Sequence, residues 1–441
     1  MSFLALAVML LAGSCAPPAP KPPPNIVLLI SDDHGWSDYG FMGHPDIQTP
    51  NLDALAAESR VYTRGYVPTS VCRPSLATMI TGLFPHEHGI TGNDPPGGAE
   101  TMRDPVARAM MVEIFKHNPT VSQALADRGY VSHQSGKWWE GNPREAGFTA
   151  AMTHGDVSRG GRHGDDGLAI GREGLQPISD FLDTTGDRPF FLWYAPFLPH
   201  TPHTPPERLL EKYLTPGRPV EVARYDAMVA WFDETIGELM RQLDTRGLAE
   251  NTLVLYVSDN GWVQEGAGRS MADSRAKMSP YDAGMRTPIL IRWPGVVASG
   301  RDETTLAGSI DLAPTMLEAA GIEPPANLPG ISLLHPERLR ERKALYGALF
   351  AHTAVDLNDP IANLKYRYTV REDGWKLVLP YTPNRDVTLM INGQQADWMR
   401  FEPELYNVID DPYEKNDQAG ARPDLVEALT DTLEGWWRVY R

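Results

Sequence analysis

The chain has 441 residues, 42% of them hydrophobic and 9% aromatic, which excludes a disordered protein and provides for one large α/β unit plus a smaller one. A formal charge of −17 excludes a surface that attracts nucleic acid or anionic membranes over its whole area. Two cysteines, Cys15 and Cys72, exclude a disulfide framework.

MSFLALAVMLLAGSC is an apolar run ending in small residues, the form of an export signal. It is too short to span a bilayer as a stable helix. Cys15 stands where a lipoprotein signal places its acylated cysteine, with ordinary signal-peptidase cleavage as the runner-up. APPAPKPPP follows as a stiff proline-rich tether. The reading is an exported bacterial protein, periplasmic or held at the cell surface by lipid on Cys15, with residues 1–24 outside the fold. Cys72 is then the one thiol left to do chemistry.

NIVLLI (25–30) has the apolar, β-branched pattern of a buried parallel strand, and it runs straight into Asp32 and Asp33. Two adjacent carboxylates at the end of a buried strand repel each other, and burial disfavours both charges. A divalent cation removes that conflict. In α/β sheets ligands sit beyond the carboxyl ends of strands, where this pair falls. TPNLDALAAES (49–59) and TVSQALADRGY (120–130) read as capped amphipathic helices. VCRPSLATMITG (71–82) puts Cys72 at the head of a helix with Pro74 in its first turn. A group at a helix N-terminus faces unpaired N–H groups and a partial positive charge, which favours anions.

The strand entering VSHQSGKWWEG brings Lys137 to another strand end. PFFLWYAP (189–196) is a strand followed by a loop with His200 and His203. RYDAMVAWFDETIGELMRQL (224–243) is a long amphipathic helix, and TLVLYV (252–257) is a buried strand ending at Asp259 and Asn260. Strands alternating with helices predict a mostly parallel sheet with helices on both faces. Asp32, Asp33, Asp259 and Asn260 are hard oxygen donors that suit Ca²⁺, or Mg²⁺ with extra water, better than zinc. Lys137, Lys277 and His200 add cationic or proton-transferring groups. His86, His88, Asn93 and Asp94, in FPHEHGITGNDPP, follow the Cys72 helix as candidate polar binding groups, and Trp138, Trp139 and Trp262 flank the candidate site loops.

NIVLLISDDHGW, TPNLDALAAES, VCRPSLATMITG, SGKWWEG, LPHTP, SDNG, KMSPYDAGMRTP and DLAPTMLEAAG resemble, in order, the landmarks of the type I sulfatases. That resemblance implies an alkaline-phosphatase-like fold: α/β, a large mostly parallel sheet sandwiched by helices, with a smaller C-terminal α+β domain. The expected division is a catalytic unit over 25–330 and, over 331–441, a small antiparallel sheet (ALYGALF, YRYTVRE, WKLVLPY) with a terminal helix. It implies a sulfuric ester hydrolase acting on sulfated carbohydrate. Cys72 would be converted by a formylglycine-generating enzyme to 3-oxoalanine (formylglycine), whose hydrate is the nucleophile. Asp32, Asp33, Asp259, Asn260 and the modified Cys72 would hold Ca²⁺ or Mg²⁺. Lys137 and Lys277 would screen the sulfuryl oxygens, and His200 or Lys277 would protonate the leaving alcohol. His203 is the fallback for His200, and His86, His88, His203 and Trp139 are expected at the substrate. Two residues depart from the family pattern: Leu76 replaces an arginine and Trp139 a histidine. The expectation is an apolar setting for Leu76, with Arg73, His34 or His88 taking over the lost polar role. A phosphodiesterase or phosphonate monoester hydrolase of the same fold, and a non-catalytic binding protein, remain as alternatives.

Overall fold

The computed structural model describes residues 22–159, 161–265, 275–384, 390–391, 394–395 and 399–439. The export segment and Cys15 lie outside the described residues.

Eight strands form one sheet: β1 (Asn25–Ser31), β2 (Arg60–Tyr66), β3 (Val131–Gly136), β4 (Ala150–Ala151), β5 (Phe190–Ala195), β6 (Thr252–Ser258), β7 (Ile289–Arg292) and β8 (Gly300–Gly308). Their order is β4-β3-β5-β1-β6-β7-β2-β8. β7 runs antiparallel to β6 and β2, and the other pairings are parallel. β1 shows why an unbroken apolar run forms the centre. Ile26, Leu28 and Ile30 enter one hydrophobic cluster, and Val27 and Leu29 enter another on the opposite face. A strand with period-2 side chains needs both sets apolar when helices cover both faces. Helix α1 (Pro50–Glu58) and the helix Val220–Thr245 cover one face, and α2 (Cys72–Thr81) with the helix Leu312–Ala319 covers the other. Thr120 and Gln123 form the predicted capping box on the helix Val121–Asp127. Thr49 does not cap α1; its hydroxyl donates to Asp53 Oδ1 instead.

Beyond β8 come β9 (Ala344–Phe350), β10 (Leu364–Arg371), β11 (Trp375–Pro380), the short pair β12 (Met390–Ile391) and β13 (Gln394–Gln395), and β14 (Glu404–Asn407). Four of these make an antiparallel sheet in the order β14-β11-β10-β9, backed by the helix Pro423–Trp436 through Leu425, Leu429 and Leu433. Among the described residues no helix is long and apolar enough to cross a membrane.

Candidate active site

β1, β6, β3 and β5 end on the same edge of the sheet, because parallel strands share a direction. β1 delivers Asp32 and Asp33. Asp33 has φ of +60°, a left-handed conformation that aspartate tolerates better than most residues, and its N–H donates to Asp259 Oδ1 at 3.1 Å. β6 delivers Asp259 and Asn260, and Asn260 Nδ2 donates to Asp33 Oδ1 at 2.8 Å. Cys72, at the head of α2, donates its S–H to Asn260 Oδ1 at 3.4 Å. Lys137, just past β3, places Nζ 2.7 Å from Asp32 Oδ1 and 3.5 Å from Asp259 Oδ2. Lys277 Nζ lies 2.6 Å from Asp33 Oδ1. His200 Nε2 is 3.3 Å from Asp33 Oδ2 and 3.4 Å from Lys277 Nζ.

The two lysines share the site with three carboxylates, all buried. Burial, then the neighbouring charges of Asp259 and Asp33, push the Asp32 carboxyl well above its usual range against the pull of Lys137. Burial alone would raise Asp33 too, but the ammonium groups of Lys277 and Lys137 outweigh it and hold that carboxyl below its ordinary value. Burial pushes the Cys72 thiol up to about 12, so an unmodified Cys72 is neutral. Burial also drives His200 well below the usual imidazole value, leaving it neutral. Its Nδ1 lies 2.6 Å from the carbonyl oxygen of Thr201, an acceptor, so Nδ1 carries the proton and Nε2 is the lone pair facing Lys277.

These residues fit a divalent cation. Ligand atoms of Asp32, Asp33, Cys72 and His200 lie within 4.8 Å of one another. Asp32 Oδ2 is buried without a hydrogen-bond partner among the described residues, and Asp259 Oδ2 has no hydrogen bond there beyond its 3.5 Å ion pair with Lys137. A buried carboxylate oxygen left unpaired is costly unless a cation takes it.

The loops carrying Cys72 and Lys277 are sewn together. Met278 N–H donates to the Ser70 carbonyl at 3.1 Å, and Ser70 Oγ donates to the Ser279 carbonyl at 2.7 Å. Met278 is held at φ of +63°, which for a long side chain costs on the order of 1–3 kcal/mol and persists where surrounding contacts over-determine it.

Other expected positions need correction. His86 is not brought to the carboxylate cluster; it stacks on Trp437 at 4.2 Å and meets Trp436 edge-on. His88 is fully buried between Thr78 Oγ1 and the Ile90 N–H, with both ring nitrogens engaged. His203 lies behind His200, against Tyr225 and Trp262. Trp139 is nearly fully buried, with the Arg162 guanidinium 4.8 Å and that of Arg108 5.5 Å from its ring centroid, and so presents little open face to stack on a sugar. Leu76 does lie in the apolar cluster, buried with Trp138 and Trp139. None of the three residues proposed to replace the missing polar groups does so. Arg73 is spent on Glu140, His34 bonds the Asp38 carbonyl and Tyr256, and His88 is bonded as above.

Sequence reasoning did not single out Arg162, His163, Phe197 or His352. Phe197 stacks on His200 at 4.3 Å, with Lys137 Nζ 5.7 Å from its ring centroid. His163 leans on Trp139 and Phe197. His352, just past β9, reaches Asn93 from the C-terminal sheet. A histidine two residues past an apolar strand is close to the strand-end signal that marked Asp32, here on an antiparallel strand.

Comparison with known proteins agrees with this geometry. The sulfatase family profile matches residues 24–322, and the profile of the N-sulphoglucosamine sulphohydrolase C-terminal region matches 273–431. The rat N-acetylgalactosamine-6-sulfatase is 28% identical over 98% of this chain and 88% of its own length. Bovine arylsulfatase A is 31% identical over 80% of this chain and 73% of its own. The solved structure of Ps i-CgsB in complex with k-i-k-neocarrahexaose superposes with a TM-score of 0.73 at 23% identity, over 94% of this chain and 93% of that one. The profile covers well over half of the chain, and this protein belongs to the sulfatase family.

Proposed function

We propose that the protein hydrolyses sulfate esters of saccharides, with Cys72 matured to formylglycine and one Ca²⁺ held by Asp32, Asp33, Asp259 and Asn260. The observation that carries the reading is the charge balance of the cluster. Three carboxylates and two ammonium groups leave a formal charge of −1. A divalent cation turns this to +1, and a monoanionic sulfate ester brings it to zero. A dianionic phosphate monoester would overshoot. In water-poor surroundings such a mismatch costs several kcal/mol, on the order of a poorly compensated buried charge.

When bound, the cation supplies Lewis-acid polarisation of a sulfuryl oxygen and the matured residue 72 supplies the nucleophile. The chain's own groups do the rest. The α2 N-terminus orients residue 72 and presents N–H groups to an oxyanion. Lys137 and Lys277 meet charge that builds on the sulfuryl oxygens. Lys277 is the charged partner of its pair with His200, because burial keeps His200 neutral, and the Thr201 carbonyl fixes its proton on Nδ1 and leaves Nε2 as acceptor. The proton for the leaving alcohol therefore starts on Lys277 and reaches it directly or through His200. Phe197 stacks on the His200 ring and holds its orientation.

Residues 25–330 are read as the catalytic unit and 331–441 as a C-terminal unit that helps wall the cleft. Export, lipidation at Cys15 and maturation of Cys72 by a formylglycine-generating enzyme complete the proposal. The saccharide class is supported by relatives named for N-acetylgalactosamine-6-sulfate and crystallised with neocarrahexaose. A phosphodiester or phosphonate monoester is also monoanionic, so charge alone does not separate it from sulfate. Rates on 4-nitrophenyl sulfate, bis-(4-nitrophenyl) phosphate and a phenylphosphonate monoester decide. Faster turnover of either phosphorus ester than of the sulfate overturns the proposal.

A further inference from the structure

The loop after α2 and the segment after β9 meet edge to edge. Asn93 N–H donates to the His352 carbonyl at 2.8 Å, and Ala354 N–H donates to the Asp94 carbonyl at 2.8 Å. Gly92 permits this approach, since a Cβ there would lie 2.9 Å from the His352 oxygen and 3.0 Å from that of Ala351. The contact sets Asp94 and His352 side by side.

Their hydrogen-bonding states are fixed. Asn93 Oδ1 accepts from the Arg73 N–H at 2.9 Å, so its Nδ2 is the atom 3.0 Å from His352 Nε2. Nε2 must accept, which leaves the proton on Nδ1. Burial holds His352 down to about 4, so the ring is neutral. Asp94 takes two bonds from Arg162, at 2.9 and 2.6 Å, and one from Arg108 at 3.2 Å. Its carboxyl is held below its usual value: burial would raise it, but Arg162 outweighs that. His352 Nδ1–H and Asp94 Oδ2 then face each other at 3.8 Å, too far for a hydrogen bond. An oxygen set beside the pair, within hydrogen-bond reach of both atoms, would accept from Nδ1–H and donate to the carboxylate, which describes a hydroxyl. A second sulfate could not donate, and the carboxylate would repel it. Asn93, which holds His352 Nε2 and precedes Asp94, also takes the N–H of Arg73, the residue after Cys72, so the pair is tied to the head of α2.

We infer that Asp94 and His352, with Arg162 orienting the carboxylate, recognise a hydroxyl of the sugar that carries the sulfate. This rests on the sulfatase reading above. It makes the site selective for saccharide sulfates over aryl sulfates, which lack that hydroxyl. A site built to bond a hydroxyl discriminates strongly against ligands without one, because its polar groups are left unpaired.

The test compares wild type, His352→Ala and His352→Phe on 4-nitrophenyl sulfate and on a panel of monosaccharide sulfates: 6-sulfated galactose, N-acetylgalactosamine and N-acetylglucosamine. The phenylalanine variant fills the imidazole's space and controls for misfolding, together with the thermal midpoint. The ratio of kcat/KM for the best saccharide sulfate to that for the aryl sulfate is expected to fall on the order of 30–100-fold in both variants, mainly through KM. An unchanged ratio, whether both rates fall together or neither does, overturns the inference. So does a wild type that cleaves the aryl sulfate and no saccharide sulfate. A wild type inert on both substrates overturns the hydrolase reading itself.

Discussion

The guanidinium of Arg73 lies buried against the carboxylate of Glu140, with Nε 2.7 Å from Oε1 and Nη2 2.5 Å from Oε2. Arg73 follows Cys72 on α2, and Glu140 lies three residues past Lys137. One bidentate pair thus ties the helix headed by Cys72 to the loop bearing Lys137. Glu140→Ala is expected to leave the guanidinium buried and unpaired, at a cost of about 3–5 kcal/mol in chemical denaturation. Arg73→Met with Glu140→Leu should recover most of that stability and less of the activity. A double variant as unstable as Glu140→Ala counts against the pair as the cause.

Asp259→Ala is expected to abolish metal binding, measured by calorimetric titration with Ca²⁺, and to lower kcat/KM by at least about 10³-fold. Chelation of wild type should give the same loss, reversed by Ca²⁺. Full metal occupancy in the variant would show that Asp259 is not a ligand.

Leu76→Arg puts a guanidinium into the cluster that holds Trp138 and Trp139. The expected result is several kcal/mol of destabilisation, or lost expression, while Leu76→Met costs less than about 1.5 kcal/mol. A gain in turnover from Leu76→Arg, at equal aldehyde content at residue 72, would mean the site is damaged and not coherent.

Glu414, Lys376 and Asp282 form a buried chain: Lys376 Nζ is 2.8 Å from Asp282 Oδ1 and 2.9 Å from Glu414 Oε1. Burial, opposed by Lys376 and aided by Asp282, raises Glu414 to about 7. The folded carboxyl binds its proton more tightly than the unfolded one. Its contribution to stability is therefore complete below the unfolded value, near 4.5, and is lost as pH rises through about 7. Glu414→Gln should flatten the fall in denaturation free energy between pH 4.5 and 7.5. An identical slope in both proteins would refute the assignment.

His200→Ala should cost more on substrates with poor leaving groups. A steeper dependence of kcat/KM on leaving-group pKa across aryl sulfates is the expected signature of a lost proton route. A parallel drop across the series would leave His200 a purely positioning role.

The central strands and the charged cluster were legible because each signal is local. An apolar run of six residues reads as a strand, and the residue types just after it survive at the strand's end, as at Asp32 and Asp259. β2 was not legible, because RVYTRGY carries Arg60, Thr63 and Arg64. Arg64 is satisfied within the fold by the carbonyls of Thr304, Arg371 and Glu372, remote in sequence. His86 and His88 shared a loop with Asp94 and looked equally available. Only packing separates them: Trp436 and Trp437 claim His86, and α2 claims His88. The pairing of Asp94 with His352 depends on a contact 258 residues apart, for which a single sequence has no local sign.

Cys72 is 1% exposed, bonded to Asn260 at the end of β6 and close in sequence to Ser70, which is sewn to Met278. No second enzyme can grip several residues on either side of it in the folded chain. If Cys72 is matured as proposed, conversion of the thiol must run ahead of closure, in a race against pairings such as β1 with β6, which join residues more than two hundred positions apart. Such distant pairings close slowly, which lengthens the interval in which Cys72 is open. A variant that folds faster would leave production with more intact thiol, and a larger inactive fraction, without any change to the site.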